Sequence, residues 1–220
     1  MPTFPKPQPM PKLLTINSAF LFCAIVSAGC ADPVGDKPRA EIADAVPAPA
    51  ADVSTAAEDV FPILGEGSTV AFTGAKVTGI HEGKFPVFRG SMRVPKKDIN
   101  KAQVKIEIET GSVVTDHPKL TGHLKSPDFF DVEKFPKASF VSTKISQTEG
   151  SKATVTGNLT LHGVTKQISF PANIAQSTGG FVTSAEFGIN RKDFGIVYPG
   201  RPDDLIKDEV LMRLRIIAQK

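Results

Sequence analysis

The chain has 220 residues, of which 40% are hydrophobic and 22% are charged, and its formal net charge is +3. The length suits one medium-sized domain with accessory segments, and the composition excludes a polytopic membrane protein and a wholly disordered chain. The small and evenly spread positive charge also argues against a nucleic-acid-binding protein.

The first 30 residues have the pattern of an export signal. Two lysines precede an apolar run at residues 13–28, whose length suits a signal peptide but is short for a bilayer span. The run ends at Ser27-Ala28-Gly29-Cys30, which is similar to the lipobox of bacterial lipoproteins, with Cys30 as the acylated residue. Ordinary cleavage near Ala31 is the alternative. We predict an exported protein, either periplasmic or attached to a membrane surface through a lipid on Cys30.

Residues 31–63 are rich in Ala, Pro, Asp and Glu and show no sustained hydrophobic periodicity. Such a composition buries too little apolar surface to offset the entropy of ordering the chain. We therefore predict a signal segment over residues 1–30, a flexible linker over residues 31–63 and a folded domain over residues 64–220.

The remainder of the chain alternates apolar and polar residues, which is typical of strands with one buried face. About eight strands are predicted in this way, at residues 70–72, 85–92, 104–108, 138–145, 153–161, 168–174, 181–189 and 210–216. Short turns such as His162-Gly163 separate several of them, so the sheet is expected to be largely antiparallel.

Residues 114–132 interrupt this alternation. Ser126-Pro127-Asp128 offers a helix start with Pro at the first helical position, so we predict one or two short helices between the third and fourth strands. Eight antiparallel strands can form a sandwich or close into a barrel, and a barrel of this size has room for one small ligand.

Five stretches share the order and spacing of motifs in one known family. They are GSTVAF at 67–72, GKFPVFRG at 83–90, HLKSPDFFDV with FPKASF at 123–140, GNLTLHGVTK at 157–166 and INRKDFG at 189–195. On these motifs the chain resembles the YceI family of bacterial polyisoprenoid-binding proteins over about residues 66–219. The resemblance implies an all-β, eight-stranded antiparallel lipocalin-like barrel with a short helical insertion between strands 3 and 4. It also implies a long apolar channel that holds a polyprenyl chain. Lys76 and Thr78 replace the usual His-Leu pair after the opening strand, which affects one cavity wall.

The inward apolar residues either pack a solid core or line a channel, in which each buried methylene contributes roughly 0.8 kcal/mol to binding. We predict a channel that holds a polyisoprenoid, an isoprenoid quinone or another long-chain amphiphile, without any other cofactor. Leu120 is expected beside Leu124 at one end. The predicted channel-wall residues are Phe72, Ile106, Ile108, Leu124, Phe129, Phe130, Phe140, Leu159, Phe170, Phe187 and Met212.

Three polar residues near the predicted channel mouth are candidates for contact with a ligand head group. Arg191 and Asp193 share a face if their segment stays extended, and they either pair with each other or contact the head group. We favour the ion pair. Tyr198 is a weaker candidate.

Metal binding and catalysis are not predicted. His117 and His123 lie six residues apart, a spacing that does not place two ligands on one helical turn. The sequence carries none of the common catalytic or phosphate-binding motifs. We predict a binding protein; an interaction module with a filled barrel and an enzyme acting on a lipid are the alternatives, and a homodimer remains open.

Overall fold

The computed structural model describes residues 32–47, 58–63 and 65–220. The predicted signal segment and Cys30 lie outside these residues. Within them, no helix is long and apolar enough to span a membrane. The helix is α1 (Pro118–Lys125), and the strands are β1 (Glu41–Asp44), β2 (Glu58–Ile63), β3 (Thr69–Lys76), β4 (Gly79–Lys84), β5 (Phe88–Pro95), β6 (Gln103–Glu109), β7 (Val114–Thr115), β8 (Lys137–Gln147), β9 (Lys152–Leu161), β10 (Val164–Ser177), β11 (Gly180–Asn190), β12 (Gly200–Arg201), β13 (Asp204–Leu205) and β14 (Glu209–Gln219).

Eight strands close into an antiparallel barrel in the order β2, β5, β6, β8, β9, β10, β11 and β14, and β14 returns to β2. β2 and β3 lie one after the other along β14, since Ile63 pairs with Ala218 and residues 69–73 pair with residues 211–215. The β3–β4 hairpin and β7 therefore extend one end of the barrel. The predicted fold class, an eight-stranded antiparallel barrel, is confirmed.

Alternation along each strand decides which side chains face the interior. In β10, Ile168, Phe170, Ala172 and Ile174 are all buried, and the residues between them point outwards. The same period of two runs through β9 and β11, so the three neighbouring strands present one continuous apolar inner face.

The helical insertion follows β6 and β7 and precedes β8, as predicted, but the predicted helix start is wrong. α1 begins at Pro118, with His117 as its N-cap, and ends at Lys125. Ser126 is its C-cap, and the Ser126 hydroxyl donates to the carbonyl of His123 at 2.8 Å. Proline disfavours helical conformation in the residue before it, so Pro127 ends this helix instead of beginning another. Residues 127–130 form a turn.

Two parts of the segment predicted to be a linker belong to the folded unit. β2 is a barrel strand, and β1 pairs antiparallel with β10 from Glu41–Ser169 to Asp44–Lys166. Val34 is only 2% exposed and packs on Gly188. The structure therefore does not place the start of the folded unit at residue 64. We call residues 32–47 the N-terminal strap.

Candidate ligand channel

The barrel interior contains two adjoining apolar cavities, of about 120 and 180 Å³. The smaller one, the distal cavity, lies away from α1, and the larger one, the proximal cavity, lies beneath it. Both are bordered by Val70, Ile108, Leu159, Ile189 and Met212, so the two spaces meet at these side chains and follow one line through the barrel. The interior is therefore not packed solid. Together the cavities reach the lower end of the range for small-molecule sites, about 300–1,000 Å³.

The distal cavity has an aliphatic lining with three aromatic rings on one side. Phe170 and Phe187 are stacked, with ring centroids 4.0 Å apart, and Phe140 is tilted against Phe170 at 5.9 Å. Gly157 of β9 makes room for the Phe140 ring, because a Cβ at this position would overlap it. The ring can therefore lie flat against the wall and leave the axis of the barrel free.

The proximal cavity is bordered by a cluster of phenylalanines under α1. The ring centroid of Phe85 lies 5.6 Å from that of Phe72 and 5.4 Å from that of Phe130. Leu124 of α1 and Phe129 of the following turn are buried and close this end of the barrel. The helical insertion thus serves as the cover of the channel.

All eleven predicted wall residues border these cavities, and Leu120 borders the proximal one. Their contact with a ligand stays a prediction. Two further lining residues, Ile168 and Ile174, were not predicted although they lie on the face of β10 that carries Phe170. In the predicted strand over residues 85–92, a period of two places Phe85 on the face opposite Phe88. In the structure β5 begins only at Phe88, and both rings are buried.

Arg191 borders the proximal cavity, but its donors are engaged within the protein. The residue is 5% exposed; Nε donates to the carbonyl of Lys207 at 3.1 Å, and Nη1 donates to the carbonyl of Ile196 at 2.7 Å. Nη2 donates to Asp208 Oδ1 at 3.1 Å and to the carbonyl of Ile206 at 3.4 Å. Burial lowers the pKa of Arg191, and the carboxylate of Asp208 opposes that shift. The side chain therefore fastens the end of β11 to the segment before β14.

The predicted ion pair between Arg191 and Asp193 is wrong. Residues Arg191–Phe194 form a 3₁₀ helix, so the two side chains do not share the face that an extended segment would give them. Asp193 is exposed, and Arg191 pairs with Asp208. Neither residue of the predicted pair presents a free donor to the channel.

Tyr198 lies beside the cover of the channel. Its ring packs edge-on against His123 and Phe129, with centroids 5.2 and 5.5 Å away. His123 in turn has its Nε2 atom 2.8 Å from Asp128 Oδ2. These contacts tie the loop after β11 to α1 and the turn that follows it, so Tyr198 supports the closed end.

Lys76 and Thr78 form a polar cluster on the rim with Asp204. Lys76 makes an ion pair with Asp204, and the Thr78 hydroxyl donates to the same carboxylate at 2.9 Å. The hydrogen bond from Lys76 contributes most to lowering the pKa of Asp204 below its usual value, and the hydrogen bonds from Thr78 add to this effect. On β4, the strand paired with β3, His81 Nδ1 lies 3.2 Å from Asp116 Oδ1. Among the residues described, no group of three or more His, Cys, Asp or Glu side chains is placed to hold a metal ion.

The curated relatives of this chain are bacterial proteins of about one third identity. A UPF0312 protein of Pseudomonas putida is 36% identical over 126 residues, which cover 54% of this chain and 65% of that protein. A UPF0312 protein of Pseudomonas aeruginosa is 39% identical over 120 residues, covering 52% and 62%. The chain thus matches less than two thirds of the length of these relatives.

Solved structures share the fold at lower identity. BcnA of Burkholderia cenocepacia superposes with a TM-score of 0.65 at 22% identity, over 71% of this chain and 99% of that protein. A polyisoprenoid binding domain from Saccharophagus degradans superposes with a TM-score of 0.60 at 16% identity, over 72% and 97%. Residues 61–218 match the YceI-like domain. From its strand order to its motifs, the chain belongs to the YceI-like family.

Proposed function

We propose that this protein is an exported, membrane-anchored carrier that sequesters a polyisoprenoid, or another long-chain amphiphile such as an isoprenoid quinone, inside its barrel. The observation that carries the proposal is the pair of adjoining apolar cavities along the barrel. Aliphatic and aromatic side chains make up most of the lining of both spaces, which suits a hydrocarbon chain. The name of the Saccharophagus degradans domain, which shares this fold, supports the ligand class.

Burial of a long chain supplies the affinity in this proposal. Each methylene removed from water contributes roughly 0.8 kcal/mol, so a prenyl chain needs little polar recognition. Met212 and Leu159 are among the residues that border both cavities. A methionine has three rotatable bonds and adapts to irregular spaces, so rotation of Met212 would join the cavities around a ligand.

We favour binding over catalysis because two charged residues that border the proximal cavity, Lys76 and Arg191, are already paired. Lys76 is held by Asp204, and Arg191 is held by Asp208 and three carbonyl groups. An enzyme acting on a bound lipid would need polar groups that converge on the reacting atoms. The lining of the distal cavity consists almost wholly of aliphatic and aromatic residues.

The ligand is tested by organic extraction and native mass spectrometry of the full chain purified from its own membranes. We expect a reproducible prenyl or quinone mass, and uptake of an added polyprenyl alcohol after delipidation. Met212→Trp should reduce that uptake about tenfold by filling the junction of the cavities. Arg215→Trp, on the outer face of the same strand, should leave it unchanged. A protein that carries no lipid and rejects added polyprenyl alcohol would contradict the proposal.

The anchor is tested separately with Cys30→Ser. If a lipid on Cys30 holds the protein, this variant should move from the membrane fraction to the soluble fraction while still binding polyprenyl alcohol. Unchanged partition between the two fractions would exclude Cys30 as the anchor and leave the ligand proposal standing.

A further inference from the structure

Buried side chains border both cavities of the channel in the part of the chain that the structure describes. Leu124 and Phe129 are buried beside the proximal cavity under α1, and Ile145, which borders the distal cavity, is 2% exposed. Entry along the axis would therefore require movement of buried core side chains. The wall is the other route.

The wall between β10 and β11 is only partly joined by backbone hydrogen bonds. Their paired residues run from Ser177–Gly180 to Asn173–Ser184 and stop there. A two-residue turn joins β10 to β11. From this turn backwards along β10, every second residue, beginning with Ser177, forms backbone hydrogen bonds with β11. Pro171 is the first residue of this series beyond the paired segment. Proline has no N–H to donate, so the ladder ends at this point and the two strands separate.

The N-terminal strap fills the gap between the separated strands. Gly188 of β11 donates its N–H to the carbonyl of Pro38 at 2.8 Å and accepts from the N–H of Ala40 at 2.8 Å. On the other side, β1 pairs with residues 166–169 of β10. Residues 38–44 thus form a short inserted strand that completes the wall.

This inserted strand lies directly over the junction of the two cavities. Ile42 is paired with Ile168, which borders the distal cavity, and packs against the core. Gly188 is followed by Ile189, which borders both cavities. Removal of the strand would therefore open the channel near its middle.

The inserted strand is held more weakly than the rest of the wall. It has four residue pairs with β10, whereas β9 has ten pairs with the same strand. Its ion pairs with the wall, Asp44–Lys166 and Arg39–Glu209, are partly or largely solvent-exposed, and exposed pairs contribute about 0–1 kcal/mol each. Short, exposed elements of this kind open locally without unfolding of the whole domain.

We propose that the isoprenoid enters and leaves through the wall between β10 and β11, and that residues 38–44 are the removable strand that closes this portal. The proposal rests on the proposed function, because it needs a long apolar ligand. It assigns a second role to the strap: the same segment that leads towards the N-terminal anchor would control access to the channel.

A reversible cross-link of the strap to β10 tests the portal. Glu41 and Ser169 are paired on the outer face, and hydrogen-bonded antiparallel pairs have Cα atoms about 5.5 Å apart, within the range for a disulfide. In the full chain carrying Glu41→Cys and Ser169→Cys, oxidation should slow uptake and release of a fluorescent polyprenyl alcohol by about tenfold or more. Dithiothreitol should restore the original rates in the same sample.

The matched control links two strands that are paired along most of their length. Ser139 and Thr160 pair on β8 and β9, so Ser139→Cys with Thr160→Cys should leave the rates unchanged on oxidation. The unsubstituted chain, treated with the same oxidant, accounts for Cys23 and Cys30. Equal rates for the oxidised and reduced strap cross-link would overturn the portal and assign passage to the ends of the barrel. Absence of uptake in every form, including the unsubstituted chain, would instead overturn the proposed function itself.

A second variant weakens the closure instead of locking it. Ala43 is paired with Gln167, and Ala43→Pro removes the N–H that this residue contributes to the ladder. We expect release of polyprenyl alcohol to become several-fold faster, with the stability of the barrel nearly unchanged. Release at the original rate would count against the portal even if the cysteine variants failed to fold.

Discussion

The two edges of β11 are built differently. On the side of β14, eleven residue pairs run without interruption from Gly180–Gln219 to Asn190–Glu209. On the side of β10, pairing ends after five residues and the N-terminal strap supplies the rest of the wall. A closed barrel can thus contain one edge that is part of the cooperative fold and one that is closed by a separate segment.

This difference predicts different modes of opening. The edge with β14 has a full ladder and a buried arginine at its end, so it should open only when the domain unfolds. The edge with β10 depends on a segment that is more than a hundred residues away along the chain and makes few backbone contacts. It should open locally.

Arg191→Met should destabilise the whole domain. The substitution leaves the carbonyl groups of Ile196, Ile206 and Lys207 without this donor, while Asp208 keeps its ion pair with Lys192. Hydrogen bonds from a charged donor contribute about 1.5–3 kcal/mol each, so the total loss should be about 3 kcal/mol or more. Urea denaturation should show this decrease in the free energy of unfolding. Asp193→Ala, in the same 3₁₀ helix, is the control and should change it by less than about 0.5 kcal/mol. Comparable losses in both variants would contradict the assignment of Asp208 as the partner.

Gly157→Ala should strain the continuous part of the wall. The added Cβ would overlap the ring of Phe140 and would lie 2.6 Å from the carbonyl oxygen of Val141. β8 and β9 are paired on both sides of this position, although their register shifts between Ser142 and Lys144, so separation of the strands to relieve the contact would break pairs of the ladder. Overpacking of this kind costs about 1–3 kcal/mol, measurable as a lower midpoint in thermal or urea unfolding. An unchanged midpoint would show that this wall yields more easily than its pairing indicates.

Gly188→Ala is the matched change at the other edge. Its Cβ would lie 2.8 Å from Val34 Cγ2, but the crowded atoms belong to the strap and not to the wall. We expect the strap to move away at a cost of about 1 kcal/mol or less in global stability. Hydrogen exchange should then show a loss of protection at the amide of Ala40, with protection in β9 and β14 retained. A loss of protection that extends throughout the barrel would show that the two edges form one cooperative unit.

The strap is also the part of the fold that the sequence did not predict. Alternation identified the barrel strands from residues such as Ile168 and Phe170, because each strand's own pattern records which face is buried. The strap has no such pattern, and its order comes from pairing with the free edge of β10. One local signal was present: a proline at position 171, within an otherwise regular strand, indicates an edge that lacks a ladder partner.

The candidate site, like the fold, could be predicted from the sequence only in part. Wall residues follow from the period of two, so their positions beside the cavities were accessible from the sequence. The partner of Arg191 was not, because Asp208 is 17 residues away and the intervening chain turns through a 3₁₀ helix. The cavity volume was equally inaccessible, since it depends on how Phe140 and Phe72 lie across Gly157 and Gly83.

Acid should loosen the strap before the barrel, and this is the smallest expected effect. The backbone N–H of Val34 lowers the pKa of Asp32, and the hydrogen bond from Lys166 lowers the pKa of Asp44. A carboxyl group whose pKa is lowered on folding stabilises the folded form above its unfolded pKa, about 3.9, and that contribution is lost as the pH falls through its folded value. Protection factors in residues 38–44 should therefore fall below about pH 4, while those in β9 stay constant.

The control for this effect is Asp44→Asn, which removes the titrating group from the pair with Lys166. The pH dependence of protection in the strap should become shallower in this variant. Glu209 acts in the opposite direction, because burial raises its pKa and protonation relieves the cost of burying its charge. Because Glu209 lies beside Arg39 of the strap, protonation of Glu209 should offset part of the loosening of the strap in acid. If hydrogen-exchange protection in the strap and in β9 had the same pH dependence, closure of the β10 edge would not depend on these carboxylates.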